Sequence, residues 1–186
     1  MIAARTVAQV DAFHSRVRDG IENVFFQSTL CSGGGRGGAG TCQQAVNVGR
    51  ETRAGVNLTV RTTPSPAVTV DANYSYVHRR MDTTTGAFPT GSPIHKAVAS
   101  GTLRLPRAVT GIMTAQYQSG AVGMSDNGLP LPANAFLTLD LAAAAPLAGG
   151  VSLQAGVRNL LDRDYYYWEG FPERGRNAYV TLRYAF

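Results

Sequence analysis

Apolar and polar residues alternate along most of this chain, and the alternating stretches are joined by connections that are by turns short and long. Val68, Val70, Ala72, Tyr74 and Tyr76 interleave with Thr69, Asp71, Asn73 and Ser75. A period of two puts each set on its own face of a β-strand. The same pattern sets Ala54, Val56, Leu58 and Val60 against Gly55, Asn57, Thr59 and Arg61, and Ala97, Ala99, Gly101, Leu103 and Leu105 against Val98, Ser100, Thr102 and Arg104. It continues through Val109 to Gln118 with Ile112 out of pattern, Leu137 to Leu141, and Val151 to Arg158. A first strand near Thr6 to Val17 and a last from Tyr179 to Phe186 bring the total to about eight. The first strand does not declare its face, because Val7, Phe13 and Val17 compete with Val10 and Ala12 at the opposite parity.

The short connections, Thr63-Pro64-Ser65-Pro66, Pro106-Arg107-Ala108 and Pro146 to Gly150, carry turn residues. The long ones, roughly 21–44, 80–95, 119–135 and 162–177, are rich in Gly, Pro, Thr and Asn. An outer-membrane barrel imposes such alternation, with tight turns in the periplasm and long loops outside, whereas a soluble sandwich obeys no such rule. Tyr74, Tyr76 and Tyr117 fall near the long-loop ends and Tyr184 and Phe186 near the other, where interfacial girdles would lie.

Composition agrees. No apolar run approaches the ~18–20 residues of a membrane helix, and the longest, Leu141 to Gly150, is broken by Pro146. Barrel strands need only ~9–11 residues with every second one apolar. The net charge of +5 is almost wholly arginine, Lys96 being the one lysine. The arginines are spread singly along the strands with no stacking platform, which argues against nucleic acid. The expected fold is therefore all-β, an antiparallel transmembrane β-barrel.

The last thirty residues narrow this further. In the final strand Val180, Leu182, Tyr184 and Phe186 share a face opposite Tyr179, Thr181, Arg183 and Ala185, and the chain stops on the aromatic. The segments Asn159-Leu160-Leu161-Asp162-Arg163-Asp164-Tyr165, Pro172-Glu173-Arg174-Gly175-Arg176 and Tyr184-Ala185-Phe186 resemble the carboxyl end of TonB-dependent outer-membrane receptors. There a stretch N-L-F-D-K-x-Y, a P-x-x-G-R loop and a strand ending Y-x-F close the barrel. Leu161 replaces the usual Phe. Upstream, Gly49-Arg50-Glu51-Thr52-Arg53 and Asp71-Ala72-Asn73-Tyr74-Ser75-Tyr76 are similar to a second strand pair of that family.

The resemblance implies that residues 1–186 are the carboxyl-terminal portion of such a barrel, about eight strands of a larger one. It implies active uptake of a scarce ligand, typically a ferric siderophore, cobalamin or a glycan, through a barrel filled by a plug that TonB pulls on. The plug, the TonB box and a signal peptide are expected to be absent from this stretch; Met1 to Asp11 shows no charged region followed by an apolar one and a cleavage site. The chain would then be a fragment or start inside a larger reading frame. The implied partners are outer-membrane lipid, the barrel assembly machinery, which would read Leu182, Tyr184 and Phe186 as its signal, and the TonB complex through the missing plug alone. Asn159, Leu160, Asp162, Tyr165, Gly175 and Arg176 are the family-motif residues. The competing reading is a self-contained eight-stranded barrel with a structural or adhesion role. Its inward Gly55, Ser75 and Gly156 would underfill so narrow an interior.

Cys31 and Cys42 flank a Gly-rich stretch. A disulfide, a reduced pair and a metal site all compete there, although no histidine stands at zinc-ligand spacing. The resemblance, which places the chain in an oxidising compartment, favours the disulfide. Gly33 to Gly40 lacks the Lys-Ser/Thr of a phosphate loop and reads as an extracellular loop. His14, His78 and His95 stand alone. Asp162, Asp164 and Glu169 among Tyr165-Tyr166-Tyr167-Trp168 could be forced into a glycosidase pair, but the resemblance makes them the start of the last loop. No nucleophile elbow appears, so neither enzyme activity nor a cofactor is expected, and the ligand-binding residues are not identifiable.

Overall fold

The computed structural model describes residues 5–28, 40–47, 50–82, 93–124, 130–168 and 171–185. Fourteen strands form among them, β1 (Arg5–Arg18), β2 (Ile21–Ser28), β3 (Gly40–Asn47), β4 (Arg50–Ser65), β5 (Val68–Asp82), β6 (His95–Arg104), β7 (Thr110–Gln118), β8 (Ala121–Met124), β9 (Pro130–Ala133), β10 (Phe136–Pro146), β11 (Val151–Arg158), β12 (Tyr166–Trp168), β13 (Phe171–Pro172) and β14 (Asn177–Tyr184). Eight make one antiparallel sheet in the order β1-β4-β5-β6-β7-β10-β11-β14. The other six pair as β2-β3, β8-β9 and β12-β13. No described helix is long and apolar enough to cross a membrane.

The eight expected strands are the main sheet, and the expected alternation of connections holds. At one end the joins are tight: Pro66-Ala67, a 3-10 turn at Pro106–Ala108, and Leu147 to Gly150. Gly149 and Gly150 take φ of +68° and +76°, which a side chain disfavours, so glycine is needed to turn within four residues. At the other end three of the long connections contain short hairpin ladders of their own. Their flanks continue as ladders, with Ile21 to Ser28 against Gly40 to Asn47 carrying the β1–β4 hairpin outward. Pairing there satisfies the backbone groups of these flanks.

Register settles the faces. Directly opposed residues in an antiparallel ladder share a face. Val56, Tyr76 and His95 form one row, Leu58, Tyr74, Ala97, Tyr117 and Leu137 the next, and Thr62, Val70, Gly101, Met113, Leu141, Val157 and Ala178 another further down. The opposite face carries Asn57 with Ser75, Thr59 with Asn73, Arg61 with Asp71, and Ser100 with Thr114. The undecided first strand places Val10 against Leu58 and Ala12 against Val56, on the apolar face, and turns Val7, Phe13 and Val17 to the polar one.

Little of the apolar face is covered. Phe136 is the one fully buried hydrophobic side chain among the described residues, while Val10, Val180 and Leu182 are 65%, 70% and 68% exposed. A sandwich would bury such a face beneath a second sheet. A single curved layer instead meets its apolar solvent in lipid. The sheet is open, each of β1 and β14 being hydrogen-bonded to one neighbour.

Candidate functional site: the lumenal wall and its terminal clasp

The polar face is a wall of short cross-strand links. Ser75 donates to Asn57 at 2.7 Å, Thr59 to Asn73 at 3.1 Å, and Ser100 and Thr114 meet at 3.3 Å. Arg61 pairs with Asp71 at 3.4 Å, with both side chains well exposed, and so adds little stability. These groups are small and water-compatible, which suits the lining of a wide wet lumen.

A tighter group lies toward the long-loop end. Glu51 is 4% exposed and accepts two bonds from Arg53, Nε to Oε1 and one terminal nitrogen to Oε2, each at 2.8 Å. Arg79 Nε donates to the same Oε1 at 2.7 Å. Arg53 and Arg79 face each other across the β4–β5 ladder, so one carboxylate bridges two guanidinium groups that would otherwise repel. The cluster was not singled out in the sequence, because Arg79 comes 28 residues after Glu51.

The motif residues gather at the same end, beyond β11. Asn159, 3% exposed with φ +50°, is the organising residue. Its backbone N–H donates to Asp140 Oδ1 at 2.8 Å, its side-chain nitrogen to the carbonyls of Arg163 and Arg174 at 2.8 and 3.3 Å, and its Oδ1 accepts the Arg163 N–H at 3.0 Å. One amide thereby ties β10, the turn after β11 and the strand return together. Leu160 donates its N–H to Leu139, and the Asp162 N–H closes the turn on the Asn159 carbonyl. Asp162 then accepts the Arg176 N–H at 2.8 Å and a guanidinium contact at 3.4 Å. Gly175 lies close beside it, where an added Cβ would stand 3.2 Å from Asp162 Oδ1. Leu161 is half exposed and takes no part in these bonds.

Tyr165 completes the clasp by stacking. Its ring lies 4.6 Å from Phe136, and Tyr167 meets both edge-on at 5.6 and 5.7 Å. Gln116 donates to the Tyr167 hydroxyl at 2.8 Å. Burial, then the neighbouring Tyr167, Glu173 and Asp140, push the Tyr165 phenol above its ordinary value. Phe136 could have been suspected, since it stands at polar-face parity in β10. Asp164 is exposed near this group.

The histidines are dispersed. His14 and His78 flank Ala54 on the outward face, and His95 stacks between Tyr74 and Tyr76, its Nδ1 2.8 Å from the Tyr74 hydroxyl. Leu182 and Tyr184 lie outward on β14, opposite Leu153 and Val151. Phe186, Cys31, Glu169 and Gly33 to Ala39 fall outside the described residues. Cys42 is half-buried on β3 and disulfide-bonded. A shallow apolar depression of about 930 Å³, lined chiefly by outward residues such as Val70, Gly101, Met113, Leu141 and Val180, belongs to the lipid-facing surface and lies away from the polar wall.

A family model described as the TonB-dependent receptor-like β-barrel matches residues 3–160. The chain belongs to that family. Membership places it in the cell outer membrane, among transport receptors. The match stops at Leu160, so most of the clasp lies beyond it. No curated protein matches in sequence. Among solved structures the chain is similar to the copper transporter OprC, at 20% identity and a TM-score of 0.74, covering 97% of this chain and 29% of that one. It is similar to the siderophore receptor PirA from Acinetobacter baumannii, at 15% identity and a TM-score of 0.72, covering 97% and 30%. The FrpB iron transporter from Neisseria meningitidis follows at 16% and 0.70, covering 96% and 28%. At such identities the likeness concerns the fold. This TonB-dependent receptor-like barrel spans under a third of the length of these structures.

Proposed function

We propose that the chain is the carboxyl-terminal portion of the barrel of a TonB-dependent receptor that takes up a scarce ligand such as a ferric siderophore, cobalamin or a glycan. The observation carrying this reading is an eight-stranded sheet with one lipid-suited and one wet face, open at both edges. Unpaired backbone at an edge is costly in a membrane, so β1 and β14 call for further strands on either side. A self-contained barrel would instead need a β1–β14 ladder. In this reading TonB acts only through a plug outside residues 1–186, the assembly machinery reads the outward row Leu182, Tyr184 and Phe186, and the chain does no chemistry. Cys31 and Cys42 form a disulfide that orders the first long connection.

Two measurements test the reading. The full chain, refolded in detergent, should give an open or self-associating β-rich species in which cysteines introduced at Val10 and Leu182 do not cross-link. A monodisperse, heat-modifiable barrel with that cross-link would favour the small barrel. In its host, disrupting the sequence encoding these residues should abolish energy-dependent uptake of one ligand class, tested with labelled ferric siderophores, cobalamin and oligosaccharides. Recovery of the chain outside the outer membrane would sink the proposal. Alkylation of both cysteines before reduction would count against the disulfide.

A further inference from the structure

The first strand puts apolar side chains on the wet face, and a lumenal lining does not account for them. In the β1–β4 and β4–β5 ladders Phe13, Gly55 and Val77 form one inward row, Ser15, Arg53 and Arg79 the next, and Val17, Glu51 and Met81 the one above. Two apolar rows thus bracket a row of guanidinium groups. Phe13 and Val17 are 39% and 38% exposed, and Val77 and Met81 are half-buried, whereas the wall below them is built of hydroxyl and amide groups such as Asn57, Ser75, Thr59 and Asn73. Apolar surface gathered in one place on a wet wall marks a surface that something covers.

The charged row is arranged for an anion. Glu51 accepts from Arg53 and Arg79 at 2.7–2.8 Å and so holds both guanidinium groups in place. Two cations against one carboxylate leave a net positive charge. Glu51 is 4% exposed and the Arg53 side chain 44%, so the negative partner is withdrawn and the positive one faces the lumen. The remaining charges on this part of the wall, Asp11 and Lys96, share the row below Phe13 and offset each other. On the outward face Tyr74 and Tyr76 mark the edge of the hydrocarbon at about this height, which sets the wall at the extracellular mouth of the lumen. Three rows across three strands measure roughly 13 by 10 Å.

We propose that this wall holds amphiphilic carboxylate ligands, with the carboxylate on Arg53 and Arg79 behind it, and an aliphatic or aryl arm along Phe13 and Val77 beneath Val17 and Met81. The Phe13 ring lies over Gly55 and so bridges β4 toward Val77, making one apolar strip of the row. A guanidinium fork favours a carboxylate over a neutral headgroup, and the strip favours a ligand with a hydrocarbon arm over a wholly polar one. The inference rests on the receptor reading above and narrows its ligand class.

Outer membranes of the host are compared with those of a strain in which the sequence encoding these residues is disrupted. The difference in binding is measured by equilibrium dialysis for labelled acetate, butanoate, hexanoate, octanoate and octanol. Affinity should rise roughly two- to fourfold per methylene, and octanol should bind about tenfold more weakly than octanoate. Val17→Thr with Val77→Thr, which keeps the side-chain shape, should flatten the rise with chain length and leave acetate unchanged. Arg53→Gln should weaken every carboxylate about tenfold without affecting octanol, and Arg53→Lys should retain most of the affinity. Arg61→Gln, lower on the same face, should change nothing. Affinity independent of chain length, octanol bound as tightly as octanoate, or equal loss in the Arg61 variant overturns the inference. It also fails if the two threonines lower the amount of protein in the outer membrane rather than the affinity for octanoate, since the patch would then be a contact with the rest of the receptor. Absence of the chain from the outer membrane overturns the receptor reading and this inference with it. Normal arrival and energy-dependent uptake of another ligand, without octanoate binding, overturn this inference alone.

Discussion

Phe13 lies across Gly55, its directly opposed partner in the β1–β4 ladder, so closely that a Cβ built on the glycine would stand 2.6 Å from the Phe13 Cζ. The far edge of the sheet repeats the arrangement: Tyr179 opposes Gly156, whose added Cβ would meet the phenol oxygen at 2.8 Å. Arg158 sits over the same tyrosine ring at 4.8 Å, and Gln154 donates to its hydroxyl at 3.2 Å. An aromatic ring laid over a cross-strand glycine restores contact area that the missing side chain forfeits and pins the register of an outermost strand. Gly55 and Gly156, both inward, are thus each covered by the aromatic ring opposite.

Gly55→Ala and Gly156→Ala should each destabilise the sheet by about 1–3 kcal/mol, because backbone oxygens as well as rings stand in the way. Gly101→Ala, where nothing lies within 4 Å, should be neutral or slightly stabilising. Urea unfolding in vesicles measures all three. A Gly101→Ala as damaging as Gly55→Ala would show that these contacts do not set the cost.

Face assignment predicts unequal neighbours. Arginine at Val70 or Leu153, both in outward rows, should cost ~2–4 kcal/mol near the bilayer midplane. At Thr69 or Gln154 the same side chain faces water and should be mild. Equal damage at both members of a pair would contradict the ladder register.

Asn159→Ala removes three side-chain hydrogen bonds at one buried position, at an expected cost of about 1–3 kcal/mol. The loss should be local. Hydrogen exchange should quicken in 162–176 while β5 and β6 are unaffected, and Asp162→Ala should free the Arg176 amide alone. Exchange that rises uniformly along the sheet would mean the clasp is part of the global fold.

Tyr165 offers a test by pH. Its phenol is raised above the ordinary value of 10.0, chiefly by burial, so the folded clasp prefers the neutral form. The clasp keeps its full stability below about 10 and loses it as pH rises through the raised value. Tyrosinate absorbance, compared between the parent and Tyr165→Phe, should show one late-titrating group missing from the variant. Coincident curves above pH 10 would remove the assignment.

Deleting Phe186 should block insertion more than removing residues from any long connection, whereas Phe186→Tyr should retain assembly. Outer-membrane fractionation reads the difference. Normal arrival of the deletion variant would leave the terminal row no signalling role.

The chain's own order determined which residues share a face. Parity is local: once Val68 to Tyr76 alternates, its two faces follow whatever strand comes next. Turn residues likewise marked where short and long joins fall, and the eight main strands stand where the alternation put them. Parity did not decide β1, where apolar residues occur on both faces, and only its pairing with β4 turned Phe13 inward and Val10 outward. The Glu51–Arg79 bridge and the glycine-covering rings depend on which strand residues are brought together, 20 or more positions away. Cross-strand register fixes those contacts, and register is a property of the assembled sheet.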